Sequence, residues 1–67
     1  MNITINSKFL ELPSNATLSQ AILLHIGESA KGLAVALNAE VIPKANWDTQ
    51  ILYPNDQILI IKATQGG

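Results

Sequence analysis

The sequence predicts an α+β domain in which a single helix covers one face of a mixed sheet. Three observations lead there. Residues Asn2–Asn6 alternate, with Ile3 and Ile5 on one side and Asn2, Thr4 and Asn6 on the other, as a half-buried strand does. Thr17-Leu18-Ser19-Gln20 fits the capping-box pattern at the head of an apolar run of helical period. Gln57–Ala63 alternates again, with Ile58 and Ile60 facing one way and Leu59 and Ile61 the other.

Each element follows in order. After the first strand, Asn6-Ser7-Lys8 offers a tight turn, and Phe9–Leu12 returns with Leu10 and Leu12 on one face to complete a hairpin. Pro13-Ser14-Asn15 ends it. The helix spans Thr17–Ile26, where Leu18, Ala21, Ile22, His25 and Ile26 form one stripe. Gly27 is its expected stop, since only Gly enters the left-handed cap without steric cost. Leu33–Asn38 is a compact run suited to a buried strand, Asn38-Ala39 a turn, and Glu40–Ile42 a short return strand ended by Pro43 at an edge. Lys44–Gln50 reads as irregular, and Pro54-Asn55-Asp56 is the turn into the last strand. The sheet is expected to hold four to five strands, with its second face open. The domain is expected over residues 1–63, followed by a flexible Gly-Gly tail at 64–67.

Composition narrows the function. Sixty-seven residues, 48% of them apolar, suffice for one domain with a small core. A chain of that size has no room for a deep cleft and a full catalytic set, which favours a binding or carrier module. Four Lys, no Arg and five scattered acidic residues leave no basic stripe for phosphates, so nucleic acid is not an expected partner. Cysteine is absent, which excludes disulfides, thiolate metal sites and any sulfur chemistry on a protein thiol. The chain opens without a basic and apolar leader, and its longest apolar runs, Leu33–Leu37 and Ile58–Ile61, are too short to span a bilayer. A soluble cytoplasmic protein, monomeric alone and without membrane contact, is the expectation.

Candidate chemistry is sparse. No HExxH, CxxC, GxSxG or phosphate-loop pattern occurs, and no catalytic or metal-ligating residue is assigned. His25 lies on the apolar stripe and reads as a packed, hydrogen-bonded residue at the core edge. Asp48 and Asp56 read as turn and cap residues, and Trp47 as a plug under the irregular segment. A sheet covered by one helix buries only one face of the last strand. Leu59 and Ile61, with Phe9 and Ala63, are therefore candidates for an apolar partner-binding face. Gln65-Gly66-Gly67 follows. A terminal carboxylate is activated only if an enzyme pocket can reach it, and two residues without Cβ thread a narrow channel in nearly any conformation.

The whole chain resembles the ThiS family of thiamine-biosynthesis sulfur carriers, within the ubiquitin-like β-grasp fold. The likeness rests on Ile3-Thr4-Ile5-Asn6, on Leu12-Pro13 followed by Ala16-Thr17-Leu18, and on Val35-Ala36-Leu37-Asn38. It continues through Val41-Ile42-Pro43 with Trp47 four residues on, Asp56-Gln57-Ile58 and the terminal Gln65-Gly66-Gly67. The resemblance implies a cosubstrate and no enzyme. A ThiF-like adenylyltransferase, using ATP and Mg²⁺, would adenylate Gly67. Sulfur from a cysteine desulfurase would then displace AMP to leave a thiocarboxylate, and a ThiG-like thiazole synthase would take that sulfur. No cofactor is bound by the carrier itself. The resemblance also assigns Ile58 and Ile60 to the core and leaves Leu59 and Ile61 outward. The chain departs from the pattern at Asn6-Ser7 and Asn38-Ala39, where Asn-Gly is usual, at Asn55-Asp56 in place of Gly-Asp, and at apolar Leu59. Two alternatives share fold and tail: the small subunit of a molybdopterin-synthase-like complex, and a ubiquitin-like modifier.

Overall fold

Two asparagine-led turns shape the sheet. In the computed structural model, which describes residues 1–26 and 32–62 (of Lys62 the backbone alone), strand β1 (Asn2–Ile5) turns through Asn6 and Ser7 into β2 (Lys8–Glu11). Both turn residues have positive φ, +51° and +69°. That pairing matches the twist of the flanking strands in a two-residue hairpin. The turn is therefore one residue shorter than Asn6-Ser7-Lys8, and Lys8 already pairs with Ile5. The second hairpin repeats the device: β3 (Leu33–Leu37) and β4 (Glu40–Val41) are joined by Asn38 and Ala39 at φ +49° and +72°. The last strand, β5 (Gln57–Lys62), lies between the hairpins, parallel to β1 and antiparallel to β3, in the order β2-β1-β5-β3-β4.

Helix α1 (Leu18–Ile26) begins one residue after its cap. The Thr17 Oγ1 accepts from the Gln20 N–H at 3.2 Å, and the Gln20 Oε1 accepts from the Thr17 N–H at 2.8 Å. The remaining free donors of the first turn reach across the chain. Leu18 N–H donates to the Gln50 carbonyl at 2.8 Å and Ser19 N–H to the Trp47 carbonyl at 3.1 Å. All four orphan donors of the helix start are thereby satisfied, and the 44–50 segment is pinned to the helix. That segment is more regular than its composition predicts, since Lys44–Asn46 forms a 3₁₀ turn.

The core lies between helix and sheet. Ile3 and Ile5 of β1, Val35 and Leu37 of β3 and Ile58 of β5 meet Leu18, Ala21 and Ile22 of the helix. Trp47 is buried at the edge as expected, and its indole N–H donates to the Ile42 carbonyl at 2.9 Å, so the ring is sealed without an unsatisfied donor. The run Leu33–Asn38, expected as a buried strand, ends at Leu37 and alternates instead: Val35 and Leu37 point inward, while Ala34 and Asn38 are exposed. Among the described residues a single helix layer covers the sheet, so one side of β3 is packed and the other is not.

His25 departs from the expectation. Its angular position lies between Leu18, Ala21 and Ile22, yet it is exposed, as are Leu23 and Leu24. Angle is therefore not what exposes it, and neither is its place in the last turn alone, since Ile26, one residue further on, is half-buried against the core. The predicted stop at Gly27 lies outside the described residues.

Candidate functional site

The open face of the sheet is built by register. Ile58 is buried in β5, so its neighbours Gln57, Leu59 and Ile61 turn away from the helix. Ala36 sits opposite Leu59 and Ala34 opposite Ile61. These small partners leave the two larger side chains uncovered, at 50% and 54% exposure. Leu59 and Ile61 thus form one outward ridge, the face that the family resemblance left outward.

Val41, which the sequence reading did not single out, joins this face. It pairs with Ala36 and is 70% exposed. The signal was present: a two-residue turn at Asn38-Ala39 forces Leu37 opposite Glu40 and Ala36 opposite Val41, placing Val41 on the Leu59 side. Phe9 is on the same face at 82% exposure, but it pairs with Thr4, which in turn neighbours Gln57. Two polar side chains therefore separate it from Leu59. The structure places Phe9 across the sheet from the ridge rather than on it. Between them lies a shallow depression lined by Thr4, Asn6, Ala36, Ala39, Gln57 and Leu59.

Polar side chains lock β5 in place. The Asn38 Oδ1 accepts from the Gln57 N–H at 2.9 Å, and its Nδ2 donates to the Asp56 Oδ1 at 3.0 Å. The other Asp56 oxygen, Oδ2, accepts from the Tyr53 N–H at 2.8 Å. Asp56 is thus the nearly buried cap of the turn before β5, in keeping with its predicted role, while Asp48 is exposed. The Asn6 Oδ1 accepts from the Ile60 N–H at 2.8 Å. Sequence reading gave both asparagines to turns alone. Their long-range bonds carry no local signal.

Ala63, Gln65, Gly66 and Gly67 lie outside the described residues. Among the described residues no three His, Asp or Glu side chains converge as a metal site, and no helix is long and apolar enough to cross a membrane.

Known proteins share this arrangement. The solved structures of a thiamine biosynthesis protein (ThiS) from Geobacter metallireducens superpose on the chain. Its crystal structure gives a TM-score of 0.83 at 22% identity over the full length of both chains. Its NMR solution structure gives 0.77 at 22% identity, covering all of this chain and 88% of the other. The fold is accordingly the ubiquitin-like β-grasp of those proteins: among the described residues, a five-stranded mixed sheet and one α-helix. In sequence, the sulfur carrier protein ThiS of Escherichia coli (strain K12) is 27% identical over 67 residues, with the whole of both chains aligned. The family model described as the ThiS family matches residues 2–67. With that match running from the first strand through the terminal Gly-Gly, the chain belongs to the ThiS family.

Proposed function

We propose that the chain is the sulfur carrier of thiamine (thiazole) biosynthesis, a cytoplasmic cosubstrate that catalyses nothing itself. The observation that carries this reading is the family match extending through Gly67 in a chain without cysteine. With no thiol to hold sulfur, the Gly-Gly carboxylate is the natural carrier group.

The chemistry balances on that group. The Gly67 carboxylate attacks the α-phosphorus of ATP on a ThiF-like adenylyltransferase, with Mg²⁺ neutralising the phosphates, and pyrophosphate leaves. The terminal sulfur of a persulfide, charged by a cysteine desulfurase, attacks the acyl carbon and AMP departs. A thiol then cleaves the resulting acyl disulfide, forming a new disulfide and releasing the thiocarboxylate. A ThiG-like thiazole synthase accepts the sulfur. Gln65 and Gly66 let the end thread to each partner's site, because the glycines carry no side chain to block a channel. Leu59 and Ile61, with Val41 beside them and Ala63 beyond, supply the apolar face on which those partners dock, and Phe9 marks its far side. Free in solution, the carrier is a monomer.

The test is mass spectrometry of the intact chain. Incubation with a ThiF-like enzyme, ATP, Mg²⁺ and a persulfide source should exchange one oxygen of Gly67 for sulfur. No exchange with an enzyme that thiolates another carrier would overturn the proposal. Rescue of a thiamine auxotroph, without rescue of a molybdopterin-deficient strain, separates this role from that of a molybdopterin-synthase subunit. Isopeptide linkage to target lysines would identify a modifier instead.

A further inference from the structure

The hydrogen bond between Asn6 and Ile60 joins residues 54 apart in sequence and sits where the sheet runs out of backbone partners. Strand β1 pairs with β5 at Thr4–Gln57 and Ile5–Ile58. Along that edge the Thr4 N–H donates to the Asp56 carbonyl at 3.0 Å, and the Asn6 N–H to the Ile58 carbonyl at 2.9 Å. The next group on the same edge is the Ile60 N–H, and by then the first hairpin has already turned back into β2. The Asn6 Oδ1 takes the rung that the backbone has vacated. One residue thus holds β5 at two points, through its main chain at Ile58 and its side chain at Ile60. On the opposite edge, β3 follows β5 as far as Lys62.

We infer that Asn6 is a positioning residue for activation of the tail. This rests on the sulfur-carrier reading above. Lys62 is the last residue of β5 and stands five residues before Gly67, a span of at most about 18 Å when extended. The ridge of Leu59 and Ile61 docks on the same strand that launches the tail. Docking and threading are coupled only while the end of β5 keeps its place in the sheet. Asn6 supplies the β1-side hold on that end. Without it, Ile60–Lys62 is secured from β3 alone, and a smaller fraction of docked carriers starts the tail from the right anchor. A lower competent fraction raises the apparent dissociation constant in proportion. Chemistry on a tail that has already threaded is unaffected.

Two variants isolate the side-chain oxygen. Asn6→Gly keeps the positive φ of +51° without strain but removes the acceptor. Asn6→Asp keeps both an acceptor and tolerance of that φ. In Asn6→Gly the Ile60 amide should exchange hydrogen faster than in the wild type by about fivefold, the worth of one net hydrogen bond, while the Val35 amide in the core changes less. The KM of the carrier in adenylation should rise several-fold with kcat unchanged, and Asn6→Asp should restore both readouts. Unchanged Ile60 exchange overturns the inference, because the hold would not exist. Faster exchange with unaltered KM, or a fall in kcat alone, also overturns it, because the bond would then be structural only. A wild-type chain that is never adenylated overturns the sulfur-carrier reading and this role with it. That failure is distinguishable, since the exchange effect would persist.

Discussion

Ala39 occupies φ +72°, where the Cβ of an L-residue crowds the following carbonyl oxygen. Its neighbour Asn38 tolerates the same region, and its side chain is engaged with Gln57 and Asp56. Replacing Ala39 by Gly should therefore stabilise the fold by about 0.5–1 kcal/mol, the relief of left-handed strain less the greater chain entropy of glycine. The check is a rise in the urea midpoint with an unchanged slope. Asp56 behaves in the opposite way. Its two oxygens satisfy the Tyr53 amide and the Asn38 side chain in a nearly buried setting. Asp56→Ala should cost about 2 kcal/mol, because two part-buried donors, the Tyr53 amide and the Asn38 side chain, lose a charged partner.

The helix start is completed by a segment about thirty residues away in the chain. Thr17 closes a reciprocal pair with Gln20, while Gln50 and Trp47 supply carbonyls to the next two donors. Thr17→Ala should lower stability by about 1 kcal/mol, read as a shift in the urea midpoint and as faster exchange of the Gln20 amide. The capping box was legible because its four residues are adjacent. The two cross-chain carbonyls were not, since nothing in Lys44–Gln50 announces where its backbone will lie. His25 shows the same limit. Periodicity gives the angle of a helical residue, but not whether the neighbouring layer covers that position: His25 is exposed while Ile26 beyond it is half-buried.

For the whole molecule, a domain of 67 residues has little stability to spare. Ile58 is buried in the central strand, so Ile58→Ala should cost about 2–4 kcal/mol, a large share of what such a domain possesses. Leu59→Asp or Ile61→Asp, on the other face of the same strand, should cost only about 1 kcal/mol, from the loss of a half-exposed side chain and the poor strand propensity of Asp. Under the proposed function, either change should nonetheless abolish pull-down of the ThiF-like partner. Equal damage to stability from Ile58→Ala and from the two outer substitutions would contradict the assignment of inner and outer faces.

The sequence alone determined the strands and helix, the capping box, the asparagine-led turns, the lack of a thiol and the Gly-Gly ending. All of these depend on residues within a few positions of one another. Tertiary structure decided which face of β5 is core. Ile58 and Ile60 alternate with Leu59 and Ile61, and both sets are apolar, so a period of two cannot rank them. Burial of Ile58 breaks the tie because one helix covers one side of the sheet. The same layer placed Val41 with Leu59 and set Phe9 apart from the ridge. It also turned Asn6 and Asn38 from turn residues into clamps on a strand far along the chain. Local chemistry writes the elements, and only their packing brings residues distant in sequence within hydrogen-bond reach.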